Sequence, residues 1–500
     1  MKAHLMYRDR DVDLGAKPPA SAPDLTRDLA LDTLFAAMAA GDSYLRDVAQ
    51  RVVLTSLEDP QEIRYRQRIL ADCIAHPDVV RRMYAIAVSA IERERRVWGF
   101  TFRRPEGLLH RCVEVLGIFR EQLKALRGLA DAQRGGIQSE GFGALFAVLA
   151  RELDDAYLET VAEHLRRLRF RRGLLLSARL GKGNKGAQYR IRKPLDATPS
   201  LRERVESWMH QAMGGEASSF IYELDDRDES GFQALQELRE RGIAPVASAL
   251  AASTAHILDF FRMLRAELGF HVGCLNLHER LMARGGSVCF PEPVEESLLR
   301  ARGLYDPSLA LSMDGRVVGN DLSADRERLV MITGANRGGK TTFMRGVGLA
   351  QLLMQCGAFV PAEEYRAGVC KGIFTHFKRE EDVGMRSGKL DEELSRMSAI
   401  VDHLRPGSLV LLNESFASTH EREGSEIARQ IVGALLERGV KVMYVTHLFD
   451  LADSYFRAPP APALFLRAER LPDGRRTFKL LEGGPLSTSY GADVYARIFR

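Results

Sequence analysis

Apolar residues recur at helical spacing from about residue 29 to 169, as in Leu31, Leu34, Phe35 and Met38 and later in Val113, Leu116, Phe119 and Leu123. The pattern predicts a helical domain with little strand. Ahead of it, residues 1–28, with Pro18, Pro19 and Pro23, read as a flexible tail. Over 166–194 the helical pattern gives way to two short β-runs, 174–180 and 187–192, around a turn at 181–186 rich in glycine and lysine. Helices resume after Pro194 and run through 243–268.

From about residue 273 strands and helices alternate. Apolar strands are expected at 328–333, 373–377, 409–412 and 441–446, with helices at 341–355, 390–404 and 421–438 between them. Such alternation predicts an α/β domain with a mostly parallel sheet covered by helices on both faces. A chain of 500 residues has room for about three units at a prior of ~150 residues each. The expected division is a tail at 1–28, a helical domain at 29–272 with a hairpin insertion at 166–194, and an α/β domain at 273–500.

Composition changes this picture in one place. The chain is 45% hydrophobic and 28% charged, which fits a folded protein, and its net charge of +4 identifies no partner. Between Arg166 and Lys193, however, there are eleven Lys/Arg and no Asp or Glu. An ordinary surface mixes signs, so this hairpin is a candidate phosphate-contacting surface for nucleic acid, with Arg169, Arg171, Arg172, Lys182 and Lys185 as its cations. A plain solvated hairpin is the competing reading. The six cysteines are scattered without a CxxC pair, which argues against a zinc site or disulfide framework and for a reducing cytoplasm. The longest uncharged stretch, 243–258, is interrupted by Pro245 and His256 and falls short of the ~20 apolar residues of a membrane span, so no membrane contact is expected.

The strongest chemical signal starts at Gly334. The run GANRGGKT at 334–341 matches G-x-x-x-x-G-K-[ST], with an apolar strand before it and a helix after it. Gly334, Gly338 and Gly339, with Asn336 and Thr342 in the same loop, would wrap backbone N–H groups around the phosphates of ATP at a helix N-terminus. Lys340 would reach the β- and γ-phosphates, and the Thr341 hydroxyl suits Mg²⁺. A second apolar strand ends in Asn413 and Glu414, which places polar groups where open α/β sheets bind ligands. Glu414 would polarise the attacking water, against the alternative of a surface carboxylate. His447, at the end of the next strand, would sense the γ-phosphate, against the alternative of a structural histidine.

These motifs resemble the MutS family. TGANRGGKTTFMR at 333–345 is similar to that family's TGxNxGGKS/T-x-x-x-R, and Phe359-Val-Pro-Ala, Ile373-Phe-Thr with Asp382, and Arg386-Ser387 before Glu392 resemble the segments that follow. Thr446-His447 before Leu448-Phe449-Asp450 resembles T-H-x-F-E-L, and Ser487-Thr-Ser-Tyr-Gly491 matches S-x-S-Y-G. In the helical part, the stretch from Asp59 through Ile63 to Arg66-Gln67 resembles D-x-x-x-I-x-x-R-Q. The likeness is dense over 270–500 and thin over 30–270.

The resemblance implies a P-loop NTPase of the ABC type behind a helical core and lever. It also implies a head-to-tail dimer, with itself or a related ATPase, in which Ser387 contacts the γ-phosphate held by the partner. The function implied is an ATP-gated clamp on mismatched, branched or otherwise non-standard DNA, with slow hydrolysis, in mismatch or other DNA repair. Four departures qualify it. Asn413 stands where the family has an aspartate for Mg²⁺, and Val317 aligns with its aromatic adenine platform. The wedge-bearing mismatch domain has no expected place before residue 30, and the C-terminal dimerisation helices are not expected after Gly491. Asn413 keeps a second reading open, a nucleotide-binding scaffold with little or no hydrolysis. A transport ATPase is disfavoured, since the chain has no LSGGQ.

Overall fold

In the computed structural model, residues 1–97, 104–133, 135–169, 176–180, 186–191, 229–379 and 388–486 are described. Contacts group 85–133 with 146–262, and 2–84 with 134–145 and 263–500. This cuts the expected helical domain, because 29–84 joins the α/β region. Leu57 N donates to Gln355 O at 2.8 Å and Arg66 Nη1 to Cys356 O at 2.8 Å, so the Pro60–Ala75 helix is tied to the end of the Lys340–Gln355 helix.

In the first unit, the Pro105–Ala132 helix starts with Pro105 in its first turn and buries Leu109, Val113, Leu116, Phe119, Leu123 and Leu126 along one stripe. Phe119 meets Phe261 at a ring-centroid distance of 5.4 Å. Strands β1 (Leu176–Leu180) and β2 (Gly186–Ile191) pair antiparallel, Leu176 opposite Ile191. The Glu229–Ala283 helix, which belongs to this unit up to residue 262 and to the second from 263, runs through Pro245 and His256, which the sequence pattern marks as interruptions. Its stretch from Gln236 to Ala283 is, among the described residues, the one helix long and apolar enough to cross a membrane by length and composition.

In the second unit, the N-terminal residues are packed, contrary to the expected flexible tail. Leu5 and Met6 are fully buried. The Glu267 carboxylate accepts from Leu5 N at 2.6 Å, the His271 ring donates through Nε2 to Leu5 O at 3.1 Å, and Arg66 donates to Met6 O at 3.2 Å. Pro23 starts the Ala22–Asp28 helix instead of breaking structure, and Asp24 on it pairs with Arg379 at 2.6 Å.

The same unit holds two sheets. One contains β3 (Glu292–Val294), β4 (Leu299–Leu304), β5 (Asn320–Ala324) and β7 (Glu364–Gly368) in the order β3-β7-β4-β5. It is mixed, with β3 parallel to β7 and β4 antiparallel to both its neighbours. The other is ordered β12-β11-β6-β10-β9-β8, from β6 (Leu329–Gly334), β8 (Ile373–Phe377), β9 (Leu409–Asn413), β10 (Lys441–Val445), β11 (Ala463–Arg470) and β12 (Arg476–Glu482). All its pairings are parallel except that of the edge strand β12. Leu329, Met331, Val410, Leu412, Val442 and Tyr444 pack on Ala428, Val432, Leu435 and Leu436 of the Glu421–Glu437 helix, which fixes β6, β9 and β10 side by side. The parallel centre agrees with the alternation in the sequence. The sequence pattern does not predict the mixed sheet, since strands such as β4 alternate buried and charged residues over only a few positions.

Candidate active site

Strand β6 ends at Gly334 with φ +109, and after a short loop Gly339, at φ +91, caps the Lys340–Gln355 helix. A Cβ on Gly334 would lie 2.9 Å from Ala468 N, and one on Gly338 would lie 2.6 Å from Ala468 Cβ. The glycines are thus required by the close approach of β11 as well as by backbone turning. Asn336 and Arg337 are exposed at the tip, Arg337 at φ +60. Thr342 is half-buried in the first turn. Arg345, which closes the motif, donates through Nε to the buried Asp306 at 2.8 Å and so anchors the helix to the Pro307–Ser312 turn.

Five predicted side chains, Lys340, Thr341, Asn413, Glu414 and His447, meet at the ends of β6, β9 and β10. Lys340 is 5% exposed, and its ammonium donates to Gly334 O and Ala335 O, each at 3.0 Å. Burial pulls its pKa down to about 8, opposed by Glu414 and aided by Arg476. Thr341 Oγ1 donates to Asn413 Oδ1 at 2.9 Å, which orients the amide with its oxygen toward the loop. Asn413 lies in register with Phe377 on one side and Val445 on the other.

Glu414 adopts φ +53, and its N–H donates to Val445 O at 2.8 Å. Its Oε1 is 3.0 Å from His447 Nε2. That hydrogen bond lowers the Glu414 pKa against the effect of burial, with further help from the charges of His447, Lys340 and Lys378. The carboxylate is therefore ionised and aimed. Behind it, His376 is fully buried, donates through Nε2 to Glu393 O at 3.0 Å and stacks on Phe416 at 5.4 Å. Burial lowers the His376 pKa to about 4, so the ring is neutral and its Nδ1 is left as an acceptor 2.7 Å from Ser415 Oγ. Tyr444 Oη donates to Ser415 O at 2.6 Å. His376 and Tyr444 hold the Glu414–Phe416 turn, in which Glu414 and Phe416 both have positive φ. Sequence reading did not find them.

A cavity of about 300 Å³ adjoins the loop, lined by Leu309, Met313, Val317, Arg337, Thr342 and Phe478 among others. Val317 stands where the resemblance implies an aromatic. Phe478, from β12, supplies an aromatic instead; it is 48% exposed with φ +61. Asn320 fixes it, donating to Phe478 O at 3.0 Å and accepting from Leu480 N at 2.8 Å. The β12 strand carried no sequence signal that would have pointed to this wall.

Of the remaining predicted residues, Arg169 is exposed at the end of the Asp155–Leu168 helix. Arg171, Arg172, Lys182, Lys185 and Ser387 lie outside the described residues, as do Asp382, Arg386 and the segment from Ser487 to Gly491. Among the described residues no cluster of three His, Cys, Asp or Glu side chains is arranged for a metal. The paired oxygens of Thr341 and Asn413, with the Glu414 carboxylate next in sequence, are the hard donors that Mg²⁺ favours. They fit an ion that arrives with the phosphates.

The chain matches the family model for the MutS2 N-terminal domain over residues 58–284 and that for MutS domain V over residues 330–499. It is 35% identical over 179 residues to the DNA mismatch repair protein MutS of Thermus aquaticus, which is 36% of this chain and 22% of that protein. To the protein of the same name from Syntrophomonas wolfei it is 32% identical over 208 residues, 41% of this chain and 24% of that one. The match to the Chlorobium phaeovibrioides protein is longer, at 29% identity over 268 residues, 53% and 29% of the two chains. This chain therefore spans less than a third of the length of each of these relatives.

Proposed function

The chain belongs to the MutS family, and from that premise we propose that it is an ATP-dependent DNA-binding protein with slow ATP hydrolysis. One observation carries this reading. Lys340, the Thr341–Asn413 pair and the Glu414–His447 pair converge at the ends of adjacent parallel strands, where this sheet architecture binds phosphates. An incoming triphosphate would replace the carbonyls of Gly334 and Ala335 as partners of the Lys340 ammonium, an exchange of neutral acceptors for charged ones. The base would enter the cavity walled by Val317 and Phe478. Thr341 and Asn413 would hold Mg²⁺, which when bound neutralises phosphate charge. Glu414, kept ionised by His447, would orient and deprotonate the attacking water.

The remaining parts of the reading rest on the family. The basic hairpin, through Arg169, Arg171, Arg172, Lys182 and Lys185, would contact DNA phosphates, with mismatched or branched DNA as the target. Two chains, identical or related, would pair head to tail so that Ser387 of one meets the nucleotide of the other. The cytoplasm is the compartment in which such a protein meets DNA and ATP.

Asn413 favours a second reading, a nucleotide-binding scaffold that does not turn over. The two separate on one experiment: ATP binding and ATP turnover by the full chain across a Mg²⁺ series, alone and with duplex, mismatched and four-way DNA. Turnover that responds to DNA supports the first reading. Binding without turnover at any Mg²⁺ level selects the scaffold, and absence of ATP binding overturns both.

A further inference from the structure

We propose that a second cavity in the same unit, lined by the segment 315–319 but by no residue of the phosphate loop, is a binding site for a small phosphate monoester, with Tyr305 and Arg316 as its polar contacts. The cavity measures about 460 Å³, enough for a sugar phosphate, and four cationic side chains line it against two carboxylates. Two of those cations are already engaged. Arg302 pairs with Glu363 at 3.1 Å, and Arg284 pairs with Asp314 at 3.2 Å. Lys479 donates to Gly319 O and keeps further N–H groups for a ligand. Arg316 is exposed and has no hydrogen bond or ion pair among the described residues.

Tyr305 is the informative member. The residue is 6% exposed, and its hydroxyl is buried with no hydrogen-bond partner among the described residues. A buried hydroxyl left unpaired costs ~1–3 kcal/mol, so a protein keeps one where something completes it. The charged neighbour that acts on this phenol is Arg316; burial raises its pKa to about 12 and Arg316 pulls the other way. A cation cannot accept the Tyr305 proton. What satisfies a hydroxyl donor and an unpaired guanidinium together is an acceptor carrying negative charge, and a phosphate oxygen does so with the strongest kind of hydrogen bond. Gly286 makes room for this geometry, because a Cβ there would lie 2.3 Å from Tyr305 Oη. Tyr305, Arg316 and Val317 also line the cavity beside the phosphate loop, so an occupant would stiffen one wall of that cavity.

The inference does not depend on the ATPase reading, and its test removes the phosphate loop from the measurement. Full-length protein carrying Lys340→Ala is titrated with inorganic phosphate and with ribose 5-phosphate, and its thermal unfolding midpoint is followed. Both probes should raise the midpoint saturably, with ribose 5-phosphate acting at lower concentration. Arg316→Gln on that background should weaken both effects about tenfold or more. Tyr305→Phe should give a crossing. Without ligand the variant should be as stable as its parent or more so, because an unpaired buried hydroxyl has gone. With saturating ligand the parent should be the more stable. No saturable rise with either probe, or equal rises in the parent and both variants, overturns the site. A rise with inorganic phosphate alone rejects the monoester.

Discussion

The loop that begins at Gly334 and the segment that begins at Ala3 pose the same physical problem and solve it differently. Both carry backbone groups that need partners away from water. At the loop the solution is local: glycine φ values, a helix N-terminus and a lysine six residues from the carbonyl it binds. At the N-terminal segment it is remote, since Leu5 is held by Glu267 and His271 and Met6 by Arg66. A locally solved region announces itself as a motif, whereas a remotely solved one looks like a tail until the fold brings its partners in. On the proposed function the first also has to open for a ligand, while the second has nothing to release. Substitutions at the two should therefore differ in kind.

The largest effect is expected at the loop. Lys340→Ala removes the buried cation proposed to meet the phosphates and should abolish ATP binding while leaving the unfolding midpoint nearly unchanged, because the two carbonyl hydrogen bonds and the attraction to Glu414 that are lost are set against the cost of burying the ammonium. Equilibrium binding of labelled ATP checks the first half and thermal unfolding the second. Wild-type affinity in the variant would place the nucleotide elsewhere.

At the N-terminal segment the expectation reverses. Leu5→Ala empties a fully buried position and should cost about 2–5 kcal/mol of stability, with ATP affinity unchanged at temperatures where the protein stays folded. Denaturant titration measures this directly. A cost near zero would mean that residues 1–6 leave the core in solution and behave as the tail that the prolines suggest.

The same contrast explains which features could be read in advance. That Gly334–Thr341, Asn413, Glu414 and His447 come together at the strand ends is legible because spacing along strands and a helix encodes it. The parallel core of the sheet is legible through its apolar runs. Phe478 and Asn320 were not, because the wall they form joins strands about 160 residues apart. His376, Ser415 and Tyr444 were not, because a buried histidine beside a serine has no signature until β8, β9 and β10 lie in register. Nor did 18–23 signal a helix, since a proline that starts one resembles a proline that breaks one.

A smaller effect is expected at Asn413, where the loop meets its neighbour strand. Its Oδ1 already accepts from Thr341, so Asn413→Asp keeps that bond and adds an anionic oxygen. A hydrogen bond to a charged group is worth ~1.5–3 kcal/mol, so the Mg²⁺ needed for half-maximal turnover should fall about ten- to a hundredfold. An unchanged Mg²⁺ dependence would remove Asn413 from the metal shell, whatever the ATP affinity.

The smallest effect in the native protein is hidden by cancellation, and one substitution should expose it. Burial raises the Glu267 pKa from 4.5 to about 7 and lowers that of His271 from 6.5 to about 4. Both side chains hold Leu5, and each has a second polar atom, Glu267 Oε1 and His271 Nδ1, buried without a hydrogen bond among the described residues. A carboxyl whose folded value is raised keeps its proton in the native state while the unfolded chain ionises. It therefore loses stability as pH rises from about 4.5 to 7. An imidazole whose folded value is depressed does the opposite, and its contribution is lost as pH falls from 6.5 toward 4. Each shift corresponds to ~3 kcal/mol at most, and between about pH 4.5 and 6.5 the two slopes oppose. Glu267→Gln deletes one of them. The variant's stability relative to wild type should then grow steadily as pH rises through that window, by up to ~3 kcal/mol, and level off above pH 7. Denaturant midpoints of both proteins at four or five pH values measure the difference, in which the remaining titrating groups drop out. A difference that stays constant with pH would mean that Glu267 is ionised in the native state and that the N-terminal segment rests on a buried charge instead of a buried acid.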